Sequence, residues 1–194
     1  MKHTAWVVSI AILVTATWVH AAEFVVKAGA PNSVVFVSKA TTETFQGKTD
    51  RLDGRIVVDP ASVVDSVVVH FEVDLASLDT GIGKRNTDMR EKYLETKKYP
   101  KAVFAGASVL GPEGATLATG QTVTFECEGD FTLHGVTKRL HVTVDVTPRD
   151  EKTLAFKASF KVPLADYNIV RPKFLFLKLG EVQDVTVEGV AVAP

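Results

Sequence analysis

Val123-Thr-Phe-Glu-Cys-Glu-Gly-Asp-Phe-Thr-Leu133, then His134-Gly135, then Val136-Thr-Lys-Arg-Leu-His-Val-Thr-Val-Asp-Val146 alternates apolar and polar residues almost without a break. Successive side chains of a strand point to opposite faces, so this period of two describes strands with one face buried and one in water. Val123, Phe125, Cys127, Gly129, Phe131 and Leu133 form the inward set of the first strand; Leu140, Val142, Val144 and Val146 form that of the second. His134-Gly135 suits a two-residue hairpin turn, because such a turn needs positive φ, which glycine adopts freely and histidine tolerates better than most residues. One wet face per strand indicates antiparallel sheet.

The pattern repeats outward from this hairpin. Val67, Val69, Phe71 and Val73 alternate with Val68, His70, Glu72 and Asp74, and Leu154, Phe156, Ala158, Phe160 and Val162 alternate with Thr153, Ala155, Lys157, Ser159 and Lys161. Shorter segments near 33–38 (Val34, Phe36), 54–58, 101–109 (Ala102, Phe104) and 181–190 (Val185, Val187) bring the total to about eight strands. Turns are expected at Asp53-Gly54, Gly111-Pro-Glu-Gly114 and Pro148-Arg-Asp150, which favours a meander. The fold class is all-β. A closed barrel and a two-sheet sandwich both satisfy the alternation.

One stretch departs from it: Leu78-Asp-Thr-Gly-Ile-Gly-Lys-Arg-Asn-Thr-Asp-Met-Arg-Glu-Lys-Tyr-Leu-Glu-Thr-Lys-Lys-Tyr-Pro100. Asp79-Thr80-Gly81 breaks a strand, Asn86 is placed to cap a helix, and Asp88 suits the positive end of the helix dipole. Met89, Tyr93 and Leu94 would share the covered face, with Asp88 and Lys92 paired outside. Tyr99-Pro100 ends the helix.

The chain has 194 residues, room for one domain, and no Gly, Ser or Pro-rich linker divides it. Residues 1–21 carry a basic start, an apolar core from Ala5 to Val19 and small residues at the end, the layout of a cleavable secretory leader cut after Ala21. Residues 22–194 would form the exported domain. Removing Lys2 with the leader leaves 21 basic against 23 acidic residues, a balance that argues against nucleic acid as partner. With Cys127 alone, no internal disulfide is available.

Catalytic chemistry finds no purchase. No paired carboxylates, nucleophile triad, HExxH or CxxC occurs, and the alternation turns His70 and His141 outward, away from Cys127. No catalytic residue and no metal ligand is assigned. The lysines and arginines between Lys84 and Lys98 are interleaved with Asp79, Asp88, Glu91 and Glu95, the composition of a solvated surface.

Five motifs, Leu78-Asp-Thr-Gly81, Lys84-Arg-Asn86, Met89-Arg-Glu91, Lys98-Tyr-Pro100 and Leu133-His-Gly-Val-Thr-Lys138, occur in order, followed by Val162-Pro-Leu-Ala-Asp-Tyr-Asn-Ile169. In these the chain resembles the YceI-like family of bacterial periplasmic lipid-binding proteins, over roughly residues 24–192. The resemblance implies a lipocalin-like antiparallel barrel holding an isoprenoid-type lipid, with the short helix capping one end, and a periplasmic location. It implies a binding protein without covalent catalysis. Segments 33–54 and 166–180 are shorter than in relatives that hold long polyisoprenoids, which implies a shallower pocket.

All eleven phenylalanines follow the leader, and seven take inward positions: Phe36, Phe71, Phe104, Phe125, Phe131, Phe156 and Phe160. In an eight-stranded barrel such rings either fill the core or line a ligand cavity. An empty apolar cavity of about 300 Å³ would cost on the order of 7 kcal/mol at roughly 24 cal/mol per Å³, so a large hollow calls for an occupant. With the resemblance, these seven, Val69 and Cys127 are read as the lining of a lipid cavity, and Met89, Tyr93 and Leu94 as its cap. The ligand would be an apolar lipid such as an isoprenoid quinone, with no further cofactor. The alternative is a cell-envelope interaction module with a filled core. Lys173-Phe-Leu-Phe-Leu-Lys178 reads as buried strand or as a basic-aromatic lip for transient membrane contact, and the sequence leaves a homodimer open.

Overall fold

The computed structural model describes residues 21–39, 44–60, 62–112, 114–171, 173–174 and 177–194. The leader reading over 1–21 lies outside these residues apart from Ala21. The strands are β1 (Ala22–Val26), β2 (Ser33–Lys39), β3 (Thr44–Thr49), β4 (Leu52–Val58), β5 (Val68–Asp74), β6 (Lys101–Leu110), β7 (Val123–Leu133), β8 (Val136–Asp150), β9 (Thr153–Pro163), β10 (Lys173–Phe174), β11 (Leu177–Lys178) and β12 (Val182–Val192). Two short helices, α1 (Val63–Ser66) and α2 (Gly83–Asp88), interrupt them.

Strands β4 to β9 pair in chain order, β9 pairs with β12, β12 meets β1 through Val25 and Val192, and β1 pairs with β4. Every pairing is antiparallel, and the ring closes. β2 lies beyond β1 on the same edge of β12, and β3 beyond β4. Lys48 and Asp79 exchange backbone hydrogen bonds of 2.9 Å, which carries the wall on past β3. Eight strand positions therefore form a closed barrel, which decides between barrel and sandwich.

The β7–β8 hairpin turns at His134 and Gly135, with φ of 51° and 75°. Phe125, Cys127, Phe131 and Leu133 are buried on its inner face, and His141 is exposed. Two apolar clusters occupy the two barrel ends. One gathers around Phe24, Leu52, Phe125 and Phe156, the other around Leu75, Leu78, Leu133, Leu164 and Ile169.

Four local expectations are corrected. The chain turns neither at Asp53-Gly54, which lie within β4, nor at Pro148: β8 runs to Asp150 through a register irregularity, and the turn falls at Glu151-Lys152. Strands β1 and β3 and helix α1 were not anticipated, because none carries more than two or three alternations. The capping helix begins at Gly83, not after Asn86, and continues from Met89 to Tyr93 as a π-helical turn closed by Leu94 N–H on the Met89 carbonyl, 2.8 Å. Asn86 lies inside α2, and its side chain serves the preceding loop. Finally, Lys173–Phe174 and Leu177–Lys178 pair with each other as a separate two-stranded ribbon and join no barrel strand; the other two residues of that run lie outside the described residues.

Candidate functional site

Inward phenylalanines do not fill this barrel, and the neighbouring strands show why. Phe36 pairs with Gly47, and Phe71 with Gly54. Ring atoms of each occupy the space a Cβ at that glycine would need. The rings thus lie over the backbone of the next strand instead of projecting to the axis, and the lumen stays open.

The opening has two chambers. A narrow one of about 140 Å³ is walled only by apolar side chains and the Cys127 thiol, among them Val69, Phe71, Phe104, Phe125 and Phe156. A wide one of about 650 Å³ is lined by Phe36, Phe45, Leu75, Leu78, Leu133 and Ile169 on the barrel side. Met89, Tyr93 and Leu94 of the capping segment close over it. Val73, Ala102, Phe131, Phe160 and Val187 line both chambers, so they adjoin. The structure therefore places all nine residues read as lining on the cavity wall, and all three cap residues above it. Burial pushes the Cys127 thiol up to about 11, which keeps it protonated and apolar in character.

The cap is fastened by the motif residues. Asn86 Oδ1 accepts from Thr80 N–H at 2.8 Å and from the Thr80 hydroxyl at 2.7 Å, while its Nδ2 donates to Asp79 at 2.6 Å. Arg85 Nε donates to the Thr80 hydroxyl at 2.9 Å and Nη2 to the Thr80 carbonyl at 2.8 Å. Its guanidinium also lies 4.0 Å from the centre of the Phe45 ring at the chamber wall, a cation–π contact. Arg90 donates to the Leu78 carbonyl at 2.9 Å. Hydrogen bonds from Gly81 N–H and Asn86 hold the Asp79 carboxyl below its usual range, and Lys92 at 2.7 Å and Lys84 at 3.5 Å do the same for Asp88.

A second attachment joins two motifs distant in sequence. Tyr99 packs edge-on to the His134 ring with centroids 4.7 Å apart, and its ring fills the space above Gly135. His134 Nε2 is 2.8 Å from Glu95 and Nδ1 is 3.1 Å from the Tyr167 carbonyl. One imidazole thus ties the hairpin turn to the cap and to the turn after β9.

Sequence reasoning missed Phe45, Leu75, Leu78, Ile169 and the inward Gln183, all of which line the wide chamber. Gln183 had a legible signal: it continues the inward series Val185, Val187 by one step. Leu75, Leu78 and Ile169 lie in turns, where alternation gives no face. Among the described residues, no three His, Cys, Asp or Glu side chains gather as a metal site.

The family described as YceI-like domain matches residues 25–191. A UPF0312 protein of Vibrio cholerae serotype O1 is 28% identical over 178 residues, spanning 87% of this chain and 89% of that protein. Protein YceI of Escherichia coli O157:H7 is 32% identical over 107 residues, 52% of this chain and 51% of its own. Among solved structures, a polyisoprenoid binding domain from Saccharophagus degradans superposes with a TM-score of 0.71 at 21% identity, covering 90% of this chain and 100% of that one. BcnA of Burkholderia cenocepacia gives 0.71 at 20%, covering 84% and 98%. Likeness at these identities is a likeness of fold.

Proposed function

The chain belongs to the YceI-like family, and from that premise we propose that it is an exported binding protein that holds an isoprenoid quinone, in oxidised or reduced form, or a similar apolar lipid inside its barrel. It carries or sequesters that lipid without covalent chemistry. The observation that carries this reading is the largely apolar chamber of about 650 Å³ beneath the Met89–Leu94 cap, in which Lys84, Arg85 and Asp88 are the charged lining residues. Each lipid methylene moved into the chamber from water contributes about 0.8 kcal/mol. The likeness to a polyisoprenoid binding domain supports the same ligand class.

Export rests on the leader pattern of residues 1–21. Lipid exchange then takes place at an envelope membrane, through the Lys173–Lys178 run. Osmotic-shock fractionation and N-terminal sequencing test the export half: the mature chain is expected in the periplasmic fraction, beginning at Ala22. A cytoplasmic chain that keeps residues 1–21 would contradict it. Binding of a fluorescent short-chain isoprenoid quinone, saturable at one per barrel, tests the carrier half; absence of saturable binding would contradict that.

A further inference from the structure

The wide chamber is mostly apolar; Lys84, Arg85 and Asp88 line it on the side of the capping segment, and on the barrel side its lining holds one amide. β12 turns Gln183, Val185 and Val187 to the lumen, and all three line this chamber. Gln183 is only 6% exposed. Its Nε2 donates to the Gly180 carbonyl at 2.8 Å, which fixes the orientation of the amide, since only the nitrogen can donate there. The Oε1 atom is buried and accepts no hydrogen bond.

A second orphaned group stands beside it. On β2, Val34 and Phe36 line the same chamber, and Ser38 is the next residue on their face. Val37 pairs with Asp184, so one more step of that antiparallel register sets Ser38 beside Gln183. Ser38 is 0% exposed, and its hydroxyl has no partner. Unpaired buried polar atoms are costly and rare in folded proteins. Two of them on adjacent strands, Gln183 in the chamber lining and Ser38 behind it, one register step past the Val37–Asp184 pair, mark a polar spot in the chamber wall.

We propose that Gln183 and Ser38 receive the hydroxyl of the ligand's head group, so that the protein selects a prenol-, phenol- or quinol-type lipid. This rests on the lipid-carrier reading above. A hydroxyl donates to Gln183 Oε1 and accepts from the Ser38 hydroxyl at once, satisfying both. A carbonyl or ether oxygen accepts from Ser38 but leaves Gln183 unpaired, and a hydrocarbon satisfies neither. A site built around a substrate hydroxyl discriminates strongly against analogues that lack it, because the buried partner is then stranded.

Displacement of a fluorescent long-chain probe from the protein by geranylgeraniol, its methyl ether and the C20 hydrocarbon phytane tests this. The alcohol is expected to bind at least about tenfold more tightly than the ether, the size of one good buried hydrogen bond. In Gln183→Leu the alcohol should fall to the level of the ether, with ether and phytane affinities unchanged. Equal affinity of all three for the native protein would overturn the subsite while leaving the carrier reading intact, whereas failure of all three to bind would overturn both. The ranking in the native protein stands by itself should Gln183→Leu not fold. A crystal structure with geranylgeraniol adds a direct check: its hydroxyl is expected within hydrogen-bond distance of Gln183 Oε1. A water in that place, with the hydroxyl elsewhere, would overturn the assignment.

Discussion

The rings of Phe131 and Phe160 meet edge to face with centroids 5.6 Å apart, and both residues line the wide and the narrow chamber. With Val73, Ala102 and Val187, which also line both, this pair lies where the two chambers adjoin, and on the proposed carrier reading it would set how far a lipid tail penetrates. Phe160 is only half-buried, so Phe160→Ala should lower stability by less than the roughly 3–5 kcal/mol typical of a fully buried phenylalanine. It should also widen the junction between the chambers. Affinities measured across a chain-length series of prenols are expected to show a longer optimum in the variant; an unmoved optimum would show that the junction does not limit depth.

Gly47 tests why the lumen is hollow. A Cβ there meets the Phe36 ring, so Gly47→Ala should push that ring toward the wide chamber. The expected outcome is a folded barrel with weaker lipid binding by about tenfold or more, each methylene excluded removing about 0.8 kcal/mol. Circular dichroism and a binding isotherm on one sample separate this from simple unfolding.

The cap depends on Asn86. Asn86→Ala would leave the backbone N–H of the buried Thr80 without its acceptor, a loss of about 1–3 kcal/mol. Hydrogen exchange should quicken at residues 80–94 and stay slow in β7 and β8. Uniform quickening would mean that the cap and barrel unfold as one.

Acid should act on the same segment. Asp79 and Asp88 have folded pKa values lowered from 3.8 by their hydrogen-bond partners, so their stabilisation is fully present above that value and is lost as pH falls below it. Cap amides should lose protection in that window, and Asp79→Asn should weaken the cap at neutral pH and flatten the acid response. An acid response unchanged in Asp79→Asn would assign it to other carboxylates.

Cys127 offers a reporter of occupancy. With its thiol raised from 9.0 to about 11, its thiolate fraction at neutral pH is roughly 100-fold below that of an unshifted thiol. Reaction with a thiol reagent should be slow in the folded protein and slower still with lipid bound, since Cys127 lines the narrow chamber. Lipid that leaves the rate untouched would place the tail in the wide chamber only.

The β7–β8 hairpin was readable from sequence because its alternation is long and its turn residues are those that positive φ selects. β1 and β3 were not, since each is a short piece continuing another strand position, and continuity of a barrel wall has no local signature. The Asn86 expectation followed a sound capping rule, yet Thr80 and Asp79 offered the same side chain three hydrogen bonds, more than a helix start would have given it. Inward phenylalanines were legible as inward. That they flank a hollow depended on Gly47 and Gly54 lying across from Phe36 and Phe71, a register fact that only pairing reveals. Gln183 shares the parity of Val185 and Val187 in a strand expected over 181–190, but alternation marks a face by its apolar residues, and a polar side chain on that face carries no signal of its own.

The most direct measurement is mass spectrometry of lipid extracted from the protein purified gently out of its native envelope, with the intact complex weighed in parallel. One isoprenoid-type lipid per chain, and an intact mass higher by that lipid, is the predicted result. A chain of bare polypeptide mass with no lipid in the extract would contradict the proposal that this barrel is a carrier.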